Sequence, residues 1–291
     1  DPAARLAKCV ALGEVLHNVP QPAGEAAQEK LLGALLPLAL GEEGGEQRDR
    51  EAAAWALAQL IRRHLPPESA VELLRDSLRP ALSDGSAERR HGATRTLAGA
   101  CWCQAPQLPA PTRELLTSLQ ELAAECLPRL LTDSDSSVLA AAAVLLAAAA
   151  RLHAEASLPW SALVTPAERL AAALSGGPTR LDPDSANVAL RAARHYAAAA
   201  AAAGSLDSAA APQLAAAVAV RGTDRAMEGT EEAEQALATL MGGGNEAELK
   251  KAMERLAGGL DEKAARSLRD YASKRLKALS QHSVANFAWD F

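Results

Sequence analysis

Five prolines recur at near-constant intervals along this chain, and they constrain its fold more than any other feature. They are Pro37, Pro80, Pro128, Pro166 and Pro212, and the gaps between them are 43, 48, 38 and 46 residues. Between successive prolines one pattern returns: a short apolar segment, a polar turn and then an alanine-rich stretch. A period of about 40–47 residues is typical of architectures in which paired helices stack side by side.

The spacing of the apolar residues divides the chain into predicted helices. A single helix is expected at 3–18. Helix pairs are expected at 25–40 with 48–64, 67–82 with 86–103, 111–131 with 135–153, 166–174 with 184–203, 208–220 with 226–241, and 246–257 with 261–281. No stretch shows the alternating pattern of a strand. The sequence therefore predicts an all-α protein, an α-solenoid of HEAT- or armadillo-like helical repeats.

The prolines suggest two different positions in the repeats. Pro37, Pro80 and Pro128 fall late in the first helix of their pairs, where they would either kink that helix or mark its end. Pro166 follows Thr165 and is expected at a helix start, slightly out of phase with the others.

The predicted organisation has three parts. Residues 1–241 are expected to form HEAT-like repeats, residues 242–282 a terminal capping pair with more polar faces, and residues 283–291 an aromatic tail. The helix at 3–18 is interpreted as the second helix of a repeat whose first helix is missing. The chain is accordingly expected to be a fragment of a longer protein.

The amino-acid composition limits which cellular compartment and which classes of binding partner are expected for this chain. The net charge of −6 argues against a general nucleic-acid-binding domain, which usually carries a basic surplus. The four cysteines, Cys9, Cys101, Cys103 and Cys126, show no secreted-type framework and are expected to be reduced, buried thiols. The apolar run 138–150 spans 13 residues, fewer than the roughly 20 of a membrane helix. We expect a cytoplasmic protein without a membrane segment.

Motifs that would indicate catalysis are missing from the sequence. It contains no H-E-x-x-H, no glycine-rich phosphate loop ending in Lys-Ser/Thr and no G-x-S-x-G. The six histidines do not pair with another histidine or a cysteine at metal-ligand spacing. We therefore expect a protein that is not an enzyme and has no cofactor, no metal and no small-molecule substrate.

A basic cluster lies at the start of the helix predicted at 86–103. Arg89 and Arg90 stand next to each other, and Arg95 follows about a turn later. Cations at a helix start oppose the helix dipole, so helix stability does not explain the cluster. It is interpreted either as a partner-binding surface or as a solvated face.

A second basic stretch lies near the end of the chain. Its candidate partner-binding residues are Lys250, Lys251, Lys274, Arg275 and Lys277. Charge alone would let this stretch contact RNA phosphates, which predicts a peripheral ribosomal RNA contact. Acidic residues are interspersed, so a solvated cap is the alternative interpretation.

Three aromatic residues end a chain that is otherwise poor in them. Phe287, Trp289 and Phe291 fall within the last five residues, whereas aromatics make up 3% of the chain. Either they pack on the last repeat or they form a peptide that docks in a groove of another protein.

The order of several motifs resembles a known family. These are 90–92, which opens an alanine-rich helix, then 206–208, 231–237 and 274–279. Across about 78–279 the sequence resembles the C-terminal end of the large ribosome-associated HEAT protein of the general-control pathway. That family activates the kinase that phosphorylates initiation factor 2α during amino-acid starvation.

The resemblance implies a non-enzymatic scaffold on translating ribosomes that helps to bring the kinase to them. Arg89, Arg90 and Arg95 are candidate contacts on the ground of charge. Two other kinds of helical scaffold are also compatible with the repeat pattern. One is a nuclear-transport receptor, since an acidic net charge suits basic cargo, and the other is a ciliary or cytoskeletal adaptor.

Overall fold

The structure of the chain is a computed structural model. The structure describes residues 2–19, 23–102, 112–156, 160–176, 181–206, 210–222, 230–240, 246–258, 262–263, 265–270 and 273–274. The predicted sites at Arg275, Lys277, Phe287, Trp289 and Phe291 lie outside the described residues. The chain divides into two compact units, Asp1–Ala156 and Ser157–Phe291.

The first unit consists of helices that alternate between two layers. They are α1 Pro2–Asn18, α2 Glu25–Ala39, α3 Gln47–Arg63, α4 Pro67–Leu73, a π-helical segment Leu74–Leu78, α5 Arg79–Leu82, α6 Ala87–Trp102, α7 Thr112–Leu130 and α8 Ser136–Ala156. Three repeats follow from this order: α2 with α3, α4 and α5 with α6, and α7 with α8.

Stacking in the first unit runs between equivalent helices of successive repeats. The second helices form one continuous row, in which α1 packs on α3, α3 on α6 and α6 on α8. The first helices lie in the other layer, where each contacts its own partner and α4 contacts α7. Helices α3 and α6 thus each contact the first helix of their own hairpin and the equivalent helix of the next repeat, which is the solenoid arrangement.

The second unit repeats this layering. Its helices are α9 Ser161–Leu174, α10 Pro183–Ala202, α11 Ala210–Gly222, α12 Thr230–Leu240 and α13 Glu246–Ala257, and residues 262–263, 265–270 and 273–274 are also helical. One layer contains α9, α11 and α13 in contact, and the other contains α10 against α12. The described part of the chain contains no strand, and the prediction of an all-α solenoid of HEAT- or armadillo-like repeats is confirmed.

Each of the five periodic prolines lies in the first helix of a helix pair. Pro37 and Pro128 lie inside α2 and α7, and Pro80 lies in α5, directly after the π-helical segment. A proline cannot donate to the carbonyl four residues earlier, and the wider π turn accommodates that missing bond. Pro212 is the third residue of α11, where no intrahelical donor is needed.

The expected helix start at Pro166 is wrong. Helix α9 begins at Ser161, and Pro166 lies inside it as a buried residue. The additional turn is stabilised by apolar packing, since Leu163 and Ala167 are also fully buried. Burial of this face outweighs the hydrogen bond that the proline cannot make.

Alanine and leucine fill the interior, and helix α8 is its most apolar element. A window of α8, Ser136–Ala154, is 19 residues long and apolar enough to cross a membrane by length and composition, so the apolar stretch is longer than the sequence suggested. Within the structure 78% of this window is buried, because α8 packs against α6 and α7. Such burial is typical of the central helix of a helical core.

Candidate functional site

The candidate arginines of the first unit lie beside the turns that join the two helices of each repeat. These turns are built from short polar side chains. The Asp84 carboxylate accepts a hydrogen bond from the Ser86 amide at 2.8 Å, and the Ser86 hydroxyl accepts one from the Arg89 amide at 3.3 Å. The Asp135 carboxylate similarly accepts from the Ser137 amide at 2.9 Å. These bonds satisfy amides at the starts of α6 and α8 that have no intrahelical partner.

Arg90 links the turns of two successive repeats. Its Nε and Nη2 donate to the two carboxylate oxygens of Asp133 at 2.8 and 2.9 Å. Its Nη1 donates to the carbonyls of Asp84 and Gly85 at 2.9 and 3.0 Å. The side chains of Arg90 and Asp133 are only 15% and 10% exposed. The bidentate geometry fixes the orientation of the guanidinium, and little of the Arg90 side chain remains accessible to a partner.

Arg89 is more accessible and faces the preceding repeat. Its Nη2 lies 3.0 Å from Glu42, in the turn before α3, and its Nε lies 3.7 Å from Asp84. The Arg89 side chain is 39% exposed. A pair with this exposure contributes little to stability, so Arg89 can exchange its carboxylates for those of a partner at small cost.

Arg95 and His91 both face Glu51, across the joint between α6 and α3. Arg95 Nη2 lies 3.7 Å from one oxygen of Glu51, and His91 Nε2 lies 3.5 Å from the other. His91 is buried, whereas Arg95 and Glu51 are each about one-third exposed. The hydrogen bond from His91, with a further contribution from the charge of Arg95, lowers the pKa of Glu51 to about 2.

The three arginines therefore share one edge of the first unit but differ in what they can offer. Each faces a carboxylate of a neighbouring repeat. Arg89 and Arg95 retain accessible surface, and Arg90 is almost enclosed. The groups that hold Arg90, namely the Asp133 carboxylate and the Asp84 backbone carbonyl, were not identified from the sequence, although Asp84 and Asp133 stand in equivalent turns.

Sequence reasoning also missed the role of Gly92. A Cβ placed on Gly92 would lie 1.8 Å from the carbonyl oxygen of Ala39, at the end of α2. Only a glycine lets α6 approach the α2 backbone this closely. A glycine in the interior of an alanine-rich helix was the available signal for such an approach, although α6 also contains Gly99.

Polar contacts between repeats recur at a separation close to the proline period. Arg63 donates to the carbonyl of His17 at 2.6 Å, Arg221 donates to that of Leu174 at 2.7 Å, and Arg129 donates to that of Leu82. The paired residues are 46 or 47 positions apart. In each case an arginine near one helix end satisfies a terminal carbonyl of the equivalent helix one repeat earlier.

His64 also joins two segments of the chain, the end of α1 and the residues before α2. Its Nδ1 accepts from the Ala23 amide at 3.2 Å, and its Nε2 lies 2.7 Å from the carbonyl of Leu16. His64 directly follows α3, so one side chain connects α3 to two other segments of the first unit.

Three basic candidates of the second unit lie within the described residues, and they are on its surface. Lys250 and Lys251 belong to α13, and Lys274 lies in the helical residues that follow it. All three side chains are exposed. They lie in a different unit from the arginine edge of the first unit.

The described residues offer no cluster of the kind that holds a metal ion. Within the described ranges, no three His, Cys, Asp or Glu side chains are placed to hold a metal ion. A cavity of about 390 Å³ beside the start of α3 is lined by Glu46, Gln47, Arg48 and Glu51. It contains no hydroxyl or thiol nucleophile among those residues.

Comparison with known proteins shows similarity in structure alone. No family model matches the sequence, and no curated protein matches it. The designed armadillo repeat protein YIII(Dq)4CqI is 18% identical with a TM-score of 0.46, covering 82% of this chain and 94% of that one. A related design in complex with the peptide (KR)4 is 18% identical with a TM-score of 0.42, covering 82% of this chain and 92% of that one. An engineered protein of the Northeast Structural Genomics Consortium is 22% identical with a TM-score of 0.43, covering 84% of this chain and 93% of that one.

Proposed function

We propose that this chain is a non-enzymatic scaffold of the cytoplasm that binds proteins along its stacked helices and acts in translational control. Its finer role would be that of a ribosome-associated activator of the kinase that phosphorylates initiation factor 2α. The observation that carries the scaffold role is the layered stack itself. Each added repeat extends the surface and provides a partner with more area.

The finer role is supported by the motifs that resemble the general-control family. Residues 90–92 combine the arginine that joins two repeat turns with the glycine that lets α6 approach α2. The two tasks lie at successive joints, since Asp133 belongs to the following repeat and Ala39 to the preceding one, and a shared repeat geometry would require both. The remaining support comes from the order of the motifs along the chain.

The first unit offers a defined surface for the kinase. Arg89 and Arg95 lie on the same helix, and each holds a carboxylate that is itself partly exposed. An acidic segment of a partner can replace Glu42 because that ion pair is accessible to water, and it can approach the exposed part of Arg95 beside Glu51. Arg90, being largely enclosed, would act by positioning this edge.

The experiment has two arms that use the purified chain. Sedimentation with ribosomes through sucrose tests ribosome association, and binding of the purified kinase to the immobilised chain tests recruitment. We expect both to occur. Substitution of Arg89→Gln with Arg95→Gln should weaken kinase binding at least tenfold, whereas Lys8→Gln with Lys30→Gln, two exposed lysines elsewhere in the unit, should not.

Failure of both arms with folded protein would overturn the translational role and leave the scaffold fold unaffected. The acidic net charge of −6 then favours a second candidate, a scaffold such as a nuclear-transport receptor that binds basic cargo. Co-purification of importin-type partners in place of ribosomes would support the nuclear-transport hypothesis. Co-purification of tubulin would support a ciliary or cytoskeletal adaptor.

A further inference from the structure

The end of the second unit carries a local surplus of positive charge in an acidic chain. Between residues 250 and 274 there are seven Lys or Arg against four Asp or Glu, although the whole chain has a net charge of −6. The side chains of all seven cations are exposed. They are Lys250, Lys251, Arg255, Lys263, Arg266, Arg269 and Lys274.

The described apolar residues of this region include several that face the interior of the second unit. Ala257, Ala265 and Leu268 are buried. On a helix with 3.6 residues per turn, Lys263 and Arg266 lie on one face together with Asp270, away from Ala265 and Leu268. The helices thus bury an apolar side and present to water a charged side on which cations outnumber carboxylates.

Carboxylates on this surface neutralise it only in part. Arg266 lies 3.1 Å from Glu262, four residues earlier, and both side chains are more than two-thirds exposed. An exposed pair of this kind holds its partners weakly and exchanges readily. A polyanion can therefore compete for these cations.

We propose that the exposed cations of α13 and of the helical residues up to 274 form a surface that binds the phosphate backbone of RNA. Binding to a protein usually depends on large aromatic or aliphatic anchors. Among the described residues of this region no large apolar side chain is exposed. Contacts to the phosphates of RNA, in contrast, need only accessible cations distributed along the nucleic-acid strand. The surface would serve ribosome association, and in that respect it deepens the proposed function.

The test measures binding of a labelled poly(U) oligonucleotide to the whole chain over a range of salt concentrations. The altered chain carries Lys250→Glu, Lys251→Glu and Lys274→Glu, and the control carries Lys8→Glu and Lys30→Glu, the same change at exposed lysines of the first unit. We expect the triple variant to bind at least tenfold more weakly at low salt. Its slope of log affinity against log salt should become shallower by about two, because each lost single-strand phosphate contact removes about 0.7.

Several results would overturn the proposal. They are no RNA binding by the unaltered chain at low salt, an equal loss in the control, or binding of poly-glutamate at least as tight as that of poly(U). Since the three lysines are exposed, circular dichroism should show that the triple variant has the same helix content as the unaltered chain. If its helix content is lower, a variant with Lys→Gln at the same three positions is tested in its place.

Sedimentation with ribosomes separates this inference from the proposed function. If the unaltered chain sediments with ribosomes while the triple variant binds poly(U) normally, the RNA surface is wrong and the ribosome role stands. If poly(U) binding depends on the three lysines but the unaltered chain does not sediment with ribosomes, the surface stands and the ribosome role fails.

Discussion

Arg90 and Asp133, 43 residues apart in the chain, are joined by two parallel hydrogen bonds of 2.8 and 2.9 Å. Their separation equals one helical repeat, so the pair links the turn of one hairpin to that of the next. The same arginine donates to the carbonyls of its own turn. One side chain therefore connects the turns of two successive repeats. The stability of the first unit should depend on contacts of this kind between repeats.

Removal of Arg90 should destabilise the first unit. Arg90→Ala leaves the largely buried Asp133 carboxylate without its cation, which we expect to cost about 3 kcal/mol. Asp133→Asn keeps the shape and should cost less. Urea unfolding of both single variants and of the double variant would measure the coupling between them. The exposed pair of Arg75 and Asp76 is the control, and Arg75→Ala should have no measurable effect. Equal effects at Arg75 and Arg90 would contradict the structural role of Arg90.

Gly92→Ala should disrupt the packing of α6 on α2. The added methyl group would meet the Ala39 carbonyl at 1.8 Å, and backbone on both sides leaves little room to relax. We expect a loss of about 2–4 kcal/mol in thermal or urea unfolding. Gly33→Ala is the matched control, because Gly33 lies in α2 with no atom within 4 Å of its new Cβ. That change should stabilise the protein by about 0.5–1 kcal/mol. A neutral Gly92→Ala would show that the helices can separate without cost.

Glu51 should contribute to the acid sensitivity of the fold. The pKa of this carboxyl is lowered from 4.5 to about 2 by His91 and Arg95. A folded-state pKa below the unfolded one means that the stabilisation is complete above pH 4.5 and is lost as the pH falls towards 2. The melting temperature of the unaltered chain should therefore exceed that of Glu51→Gln near neutral pH, and the two should converge in acid.

A second glutamate provides the control for that pH dependence. Glu125 forms an exposed ion pair with Arg79 at 2.9 Å. Because water screens this pair, Glu125→Gln should lower the melting temperature little at any pH. A constant difference between Glu51→Gln and the unaltered chain across the acid range would contradict the prediction for Glu51.

Cys101 and Cys126 should react slowly with thiol reagents while the protein is folded. Burial raises the pKa of each thiol to about 12, so the thiolate is scarce at neutral pH. Chains that retain one of these cysteines, with the others changed to serine, would be followed with a colorimetric disulfide reagent. Reaction should become fast only in denaturant. Fast reaction in the folded state would mean that α6 and α7 do not enclose these thiols.

Much of the architecture could be predicted from local patterns. The predicted bounds of α1, α2, α3 and α10 differ from the observed ones by no more than one residue at either end. Apolar spacing identifies the buried side of each helix, and polar turn residues mark where it stops. Pro166 shows where this reasoning fails, because a proline suits a helix start by local preference and tertiary burial of Leu163 extended the helix before it.

The candidate site was less predictable. The arginine cluster was recognised by its unfavourable position at a helix start, but its carboxylates were not. Glu42, Glu51 and Asp133 lie 40–47 residues from the cations that they contact. The repeat period indicates that residues about 45 apart share a joint, yet it does not say which polar pairs lie within hydrogen-bonding distance.

The sequence by itself determined the all-α class, the paired helices and the period of stacking, because these follow from interactions within a helix or between adjacent segments. Tertiary structure alone decided which cations are enclosed, as Arg90 is, and which remain accessible, as Arg89 and Arg95 do. That outcome depends on how closely neighbouring helices approach and with what register. The approach of α6 to the Ala39 carbonyl is set by the whole packed interface, with Gly92 permitting it.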